Sequence, residues 1–373
     1  MKKILFIFGT RPEAIKMVPL ITEFKNNSKY FKVIICVTGQ HREMLDQVLS
    51  FFKIKPDYDL NLMKPGQTLF DITADGLRGC EKVIEKLKPD LVFVQCYTST
   101  AFVGALAAFY KKIPVVHIEA GLRTNDKYSP FPEEINRSLI SKLANYHFTP
   151  TVASSRNLKI EGITKNIFCV GNTVIDALKM GLKILDKNNV NFEDEFGGID
   201  FSRRTILVTG HRRENFGQPL NDICVVLNQI ANKFPECNLV YPVHLNPQLR
   251  EVTKKMLGKT KNIFLIEPLD YPRLIWLMKK SYLIITDSGG IQEEAPFLGK
   301  PVLVTRNTTE RPEGIKAGTA KLVGHNKNKI FKEVKKLLES KSNYNKMSKA
   351  NNPYGKGDAS EKIAKIIKNK ICL

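Results

Sequence analysis

The chain has 373 residues, too many for one ordinary domain and enough for two. Its hydrophobic fraction of 43% supports large buried cores, while apolar runs such as Ile4–Phe8 are far shorter than the roughly 20 residues that span a bilayer. A net charge of +21 draws anions, yet no zinc finger, RNP-like motif or basic–aromatic interleaving accompanies it. The expectation is a lysine-rich solvated surface, compatible with a phosphate-bearing ligand but with no nucleic acid and no membrane partner. Seven scattered cysteines form no CxxC or zinc-ligand spacing, which predicts reduced thiols, and the apolar start reads as a first strand of a cytoplasmic protein.

In chain order, short apolar strands alternate with helical patterns. Strands are expected at Ile4–Phe8, Val33–Thr38, Leu91–Gln95, Val115–Ile118, Tyr146–Thr149 and Ile167–Val170. Helices are expected near 12–26, 41–52, 67–88, 98–110, 133–143 and 151–160. A polar stretch, Asp186–Arg204, follows, and strands resume at Thr205–Thr209, Leu239–Val243, Ile263–Ile266, Leu283–Thr286 and Val302–Thr305. This is βαβ grammar, in which each sheet is parallel and covered on both faces. The fold class is α/β, with two doubly wound Rossmann-like domains and a cleft between them. The expected domains are 1–168, rejoined by the C-terminal segment 356–373, and 169–355.

Strand ends carry the chemistry in such sheets. Gly9-Thr10-Arg11-Pro12-Glu13 opens the first helix, and free N–H groups there, with Arg11 and Lys16, suggest an anion site; a plain strand-to-helix turn is the alternative. Thr286-Asp287-Ser288-Gly289-Gly290-Ile291-Gln292-Glu293-Glu294 is a stronger cradle. Ser288, Gly289 and Gly290 let the backbone approach phosphate oxygens, and Glu294 is placed to accept from ribose hydroxyls. Arg311 is a candidate bidentate phosphate partner. His211, beside Gly210, Arg212 and Arg213, suits donation to a phosphate or leaving group. Glu119 closes a buried strand and Glu133 starts a helix behind Pro132, with Arg137 four residues on. Glu134 is expected to be solvated, and His117 to be a satisfied core or wall residue.

Together, Gly9–Ala14, His117-Ile118-Glu119-Ala120-Gly121-Leu122-Arg123-Thr124, Phe131-Pro132-Glu133-Glu134-x-Asn136-Arg137, His211–Asn215 and Asp287–Glu294 closely resemble the non-hydrolysing UDP-N-acetylglucosamine 2-epimerases, from about residue 3 to 360. The resemblance implies a GT-B type fold and a homodimer. It implies interconversion of UDP-GlcNAc and UDP-ManNAc for surface polysaccharide, by elimination of UDP to 2-acetamidoglucal and re-addition, with no metal or other cofactor. By the same resemblance Arg11, His211, Ser288, Gly289, Gly290 and Arg311 contact the diphosphate, and Glu294 the ribose. The backbone near Leu274 holds uracil, and Lys16 and Arg137 are basic residues on the sugar or pyrophosphate side. Glu119 and Glu133 are two of three catalytic acids. Gln40, His41, Arg212 and His244 match an allosteric UDP-GlcNAc site, from which Glu43 and Gly66 depart.

The family writes the third acid in Gly-Asp-Thr, whereas this chain reads Cys96-Tyr97-Thr98. An ordinary Asp titrates near ~3.9 and an ordinary Tyr near ~10, so the exchange replaces a proton acceptor by a neutral donor. Three readings stand open: a weakly active UDP-sugar-binding variant, a phenol that takes over a proton role at C2, or a pocket reshaped for another UDP-N-acetylhexosamine. A hydrolysing relative and a GT-B glycosyltransferase are further alternatives.

Overall fold

The computed structural model describes residues 1–40, 42–64, 66–210 and 217–372, which form two compact units, Met1–Met180 with Tyr354–Leu373, and Gly181–Pro353. The first unit runs β1 (Lys2–Phe8), α1 (Arg11–Asn26), β2 (Phe31–Val37), α2 (Arg42–Phe51), β3 (Tyr58–Asp59), α3 (Leu69–Leu87), β4 (Leu91–Gln95), α4 (Ser99–Tyr110), β5 (Val115–Ile118), α5 (Glu133–Leu143), β6 (Tyr146–Thr149), α6 (Val152–Ile160), β7 (Ile167–Cys169) and α7 (Thr173–Lys187). The division between units falls inside α7.

Its seven-stranded sheet is parallel and ordered β3-β2-β1-β4-β5-β6-β7. The central strands β1 and β4 are nearly all apolar because both faces are covered; Phe6 sits beside Phe93 in register with the rings tilted and 4.7 Å apart, and Phe24 of α1 is edge-on to both. The strand order reverses between β1 and β4. Their carboxyl ends therefore open a crevice flanked by two helix N-termini, which is where ligands bind in sheets of this kind.

The second unit runs β8 (Thr205–Thr209), α8 (Gln218–Lys233), β9 (Asn238–Pro242), α9 (Pro247–Leu257), β10 (Ile263–Ile266), α10 (Tyr271–Lys280), β11 (Leu283–Thr286), α11 (Gly289–Phe297), β12 (Val302–Val304), α12 (Pro312–Ala317), β13 (Ala320–Leu322), α13 (Lys327–Glu339) and α14 (Lys341–Ser348). Its sheet, β10-β9-β8-β11-β12-β13, reverses between β8 and β11. Thr286 lies beside Thr209 in register, and their hydroxyls hydrogen-bond at 2.6 Å. The stretch Asp186–Arg204 is less open than its polarity implied. Phe192, Phe196 and Phe201 enclose the one tryptophan, Trp276, with Phe196 stacked on it at 5.5 Å.

The closing helix α15 (Ala359–Ile371) packs on α1 and belongs to the first unit. Its own Asp358 makes no capping bond. The buried Asp176 of α7 caps it instead, accepting from the N–H groups of Ser360 at 2.8 Å and Ala359 at 3.3 Å. Burial pushes the Asp176 carboxyl up, and these bonds hold it back. Lys368 near the other end lies 3.8 Å over the Tyr30 ring. Among the described residues no helix is long and apolar enough to cross a membrane. Replacing Asp176 by Ala removes the borrowed cap and is expected to lower stability by about 1–2 kcal/mol in urea denaturation. Hydrogen exchange should accelerate in 359–371 before it does in β1 or β4.

Candidate active site

In the first unit, three turns converge on one cavity of about 280 Å³ at the switch point, lined by Thr10, Glu13, Lys16, Gln95, Tyr97, Glu119 and Glu133 among others. The β4 and β5 ends share a device. Cys96 and Glu119 each follow the last strand residue, and each adopts the left-handed conformation at φ 59°. Such a conformation costs roughly 1–3 kcal/mol in a residue with a side chain, and it persists only where the surroundings over-determine it. Here the N–H of Cys96 donates to the Ile118 carbonyl at 2.9 Å, that of Ala120 donates to Phe148, and the Cys96 carbonyl lies 2.8 Å from His117 Nε2. His117 is fully buried with Nε2 spent on this backbone bond, but it is only half satisfied, since its Nδ1 finds no hydrogen-bond partner among the described residues.

Glu119 is buried and held by three side chains. Lys16 Nζ lies 2.5 Å from its Oε2, Gln95 donates a short bond to the same oxygen, and Asn172 donates to Oε1 at 3.0 Å. Lys16 is thereby committed to an internal carboxylate.

The turn after β1 departs from the expected anion cradle. Glu13 sits three residues after the Thr10 N-cap in a capping box, and its carboxylate accepts from the N–H groups of Gly9 at 3.0 Å and Thr10 at 2.8 Å. An internal acid has taken the place foreseen for a ligand, so the turn offers no such free pair. Gly9 is required there, since a Cβ would collide with the hydroxyls of Thr38 and Thr100. Arg11 is the first residue of α1 and only partly exposed.

Glu134 corrects the sequence reading more directly. It is buried, not solvated: the turn at Thr124 and Asn125 needs an acceptor for its N–H groups, and Glu134 Oε1 supplies it at 3.0 and 3.1 Å. Its other oxygen pairs with Arg137 Nε at 3.3 Å. Arg137 is buried too, and its guanidinium lies 4.5 Å over the Tyr97 ring. Asn136 donates to the Tyr97 carbonyl at 3.1 Å. Glu133, the first residue of α5, turns Oε2 inward, where it finds no hydrogen-bond partner among the described residues.

In the second unit, Ser288 is the N-cap of α11, and its side chain makes no capping bond to that helix. Gly289 and Gly290 form the first turn, with only the tips of Glu310, Arg311, Glu294 and Ser288 near where their Cβ atoms would be. Buried Arg311 reaches over this turn, its Nε on Glu293 and its Nη1 3.9 Å from Glu310. Glu294 is buried and accepts the Tyr271 hydroxyl at 2.8 Å. Leu274 lies in α10, with its N–H bonded to the Asp270 carbonyl. Of the residues assigned to an allosteric site, Gln40 accepts from Thr100 in the first unit, and exposed His244 accepts the Asn246 N–H in the second. His41, His211 and Arg212 lie outside the described residues.

The family model described as UDP-N-acetylglucosamine 2-epimerase matches residues 23–368. The chain belongs to the UDP-N-acetylglucosamine 2-epimerase family. It is similar to the UDP-N-acetylglucosamine 2-epimerase of Campylobacter jejuni, at 55% identity over 376 residues, covering 98% of this chain and 97% of that one. The same-named protein of Escherichia coli K12 is 52% identical over 371 residues, covering 98% of both chains. A crystal structure of the UDP-GlcNAc 2-epimerase from Neisseria meningitidis, bound to UDP-GlcNAc, superposes with a TM-score of 0.91 at 48% identity, covering 98% of this chain and all of that one. In this member of the epimerase family, the elements that sequence reasoning missed around the site are Glu13, Gln95 and Asn172. Only Glu13 carried a signal, the T-x-x-E spacing of a capping box.

Behind the cavity, His117 and His147 are register partners on β5 and β6, and both are buried. Burial pushes His117 down to about 3 and His147 to about 4, from an ordinary 6.5. An unfolded chain protonates these rings near pH 6.5 while the native one does not, so stability is full above that pH and is lost as pH falls from 6.5 towards 4 and 3. Urea unfolding at pH 7.5, 6 and 5 should show a progressive loss, and His147→Asn should flatten that slope.

Proposed function

We propose that this chain interconverts UDP-GlcNAc and UDP-ManNAc, an isomerase reaction at C2 of the sugar. Family membership supports the reading. The observation that carries it is the pairing of Glu119 and Glu133 at one 280 Å³ cavity with Lys16 and Tyr97.

The C2 proton is not acidic enough for direct removal, so elimination is the economical route. A base takes the C2 proton, the electron pair forms the C1–C2 double bond, and the C1–oxygen bond breaks to release UDP. UDP then re-adds at C1 while C2 is protonated on the opposite face. Glu133 suits the base role, since its Oε2 is buried with no partner among the described residues. Glu119, held by Lys16, Gln95 and Asn172, suits a fixed charge or relay. Ser288, Gly289, Gly290, Arg311 and Arg11 would hold the diphosphate, Glu294 the ribose, and the backbone near Leu274 the uracil. Arg137 would act on the sugar side, His211 as donor to the departing UDP, and Gln40, His41, Arg212 and His244 in binding a second UDP-GlcNAc. A cytoplasmic homodimer is part of the same reading.

Tyr97 sets the expected rate. Its ring stacks on Arg137 where an Asp would offer a carboxylate, so one proton-handling group is exchanged for an aromatic face. This observation favours a second reading, a UDP-sugar binder with slow turnover. A proton NMR time course with UDP-GlcNAc in D2O should give UDP-ManNAc carrying deuterium at C2. Tyr97→Asp should raise the rate by about 10²–10⁴-fold, what one acid–base group contributes. Free ManNAc would point to hydrolysis instead, and no new sugar from either protein would refute the epimerase reading.

A further inference from the structure

Among the acids that line the cavity is Glu13, which the proposed reaction does not use. It is 1% exposed. Its Oε2 accepts from Gly9 N, Thr10 N and the Thr10 hydroxyl at 3.0, 2.8 and 2.8 Å, and its Oε1 accepts from the Thr98 hydroxyl at 2.6 Å. A carboxylate with four donors on it has little left with which to take a proton from a substrate. The donors, however, belong to two chain segments 85 residues apart: the turn from β1 into α1, and Thr98, the N-cap of α4 that follows Tyr97.

We infer that Glu13 is a positioning residue, a clamp that pins the β4–α4 turn to the β1–α1 turn and so sets where Tyr97 and Lys16 stand in the cavity. Thr98 accepts the Ala101 N–H at 3.0 Å while donating to Glu13, so one hydroxyl starts α4 and ties it down. Lys16 lies three residues beyond Glu13 on the same helix and reaches Glu119. Cys96, left-handed and next to Tyr97, lies two residues from Thr98 and so reports on this turn. Burial pushes the Glu13 carboxyl up, against the opposing pull of the Thr98, Gly9 and Thr10 bonds.

Two variants and two readouts test this. Glu13→Gln puts an amide among four donors, and Thr98→Val deletes the Thr98–Glu13 bond between the turns. The first readout is alkylation of Cys96 by iodoacetamide, followed by peptide mass spectrometry, with buried Cys36 and Cys80 as internal references. Loosening the turn should raise Cys96 labelling roughly tenfold or more, what losing a hydrogen bond to a charged group is worth. Cys36 and Cys80 should stay slow, and Thr98→Ser, which keeps the hydroxyl, should label like the parent. The second readout rests on the proposed epimerase activity and uses whichever of the native chain and Tyr97→Asp turns over. There kcat should fall by about 10–100-fold, because misplaced groups lose rate, while KM stays within about threefold. Unchanged Cys96 labelling in both variants overturns the clamp. So does equal labelling of Cys36, Cys80 and Cys96 in Thr98→Val, which would assign Thr98 to the fold as a whole. No turnover by either the native chain or Tyr97→Asp refutes the epimerase reading and leaves the labelling result to decide the clamp.

Discussion

Burying the Glu119 carboxylate is the constraint on which the first unit's site depends. A lone buried carboxylate is strongly disfavoured, and it becomes tolerable only when opposite charge and hydrogen bonds surround it. Lys16 comes from α1, Gln95 from β4, Asn172 from the turn before α7, and Glu119 itself from the end of β5. Satisfying one charge therefore draws four chain segments to the carboxyl edge of the sheet. The left-handed backbone at Glu119 belongs to the same bargain, since it turns the chain out of the strand and leaves the carboxylate facing those donors.

The second unit solves a different electrostatic problem with the same topology. Its switch point collects Ser288, the glycine turn of α11 and Arg311, a geometry that favours an anion through backbone dipoles. Arg311 and Arg306 are already balanced by Glu293 and Glu310. The net charge of the chain resides mostly on outer helices such as α13, whose apolar stripe of Ile330, Val334, Leu337 and Leu338 faces the core while lysines face solvent. Overall basicity and local anion recognition are thus separate properties.

What was legible in the sequence follows the strength of the physical signal. Strands such as Leu91–Gln95, Val115–Ile118 and Leu283–Thr286 were readable to the residue because a parallel strand covered on both faces is a nearly continuous apolar run. The edges Tyr58–Asp59 and Ala320–Leu322 were not, being short and partly polar as edge strands tend to be. Glu119, Glu133, Arg137 and the Ser288–Gly290 turn were legible because strand ends and helix starts in this grammar point to ligands. Their partners were not, since Lys16 to Glu119 spans 103 residues and no local pattern announces it. Glu134 was misread because the spacing to Arg137 was applied to Glu133, while the i,i+3 pair was equally available.

Tyr97 connects these levels. At a strand end followed by a left-handed residue, a small flexible side chain would be the easy choice, and this chain has Cys96 and a phenol. The structure accommodates the ring by stacking Arg137 on it, while Glu134 pairs with the same guanidinium. An ion pair would be directional and strong, whereas a cation over a π face keeps the charge in place with no acceptor oxygen. The arrangement keeps the Arg137 charge at the cavity wall, with Glu134 as its carboxylate partner and the Tyr97 ring as an aromatic face. A carboxylate and an aromatic face thus share one buried guanidinium, the first by charge and the second by its π quadrupole, so Arg137 is held at the cavity on two independent grounds.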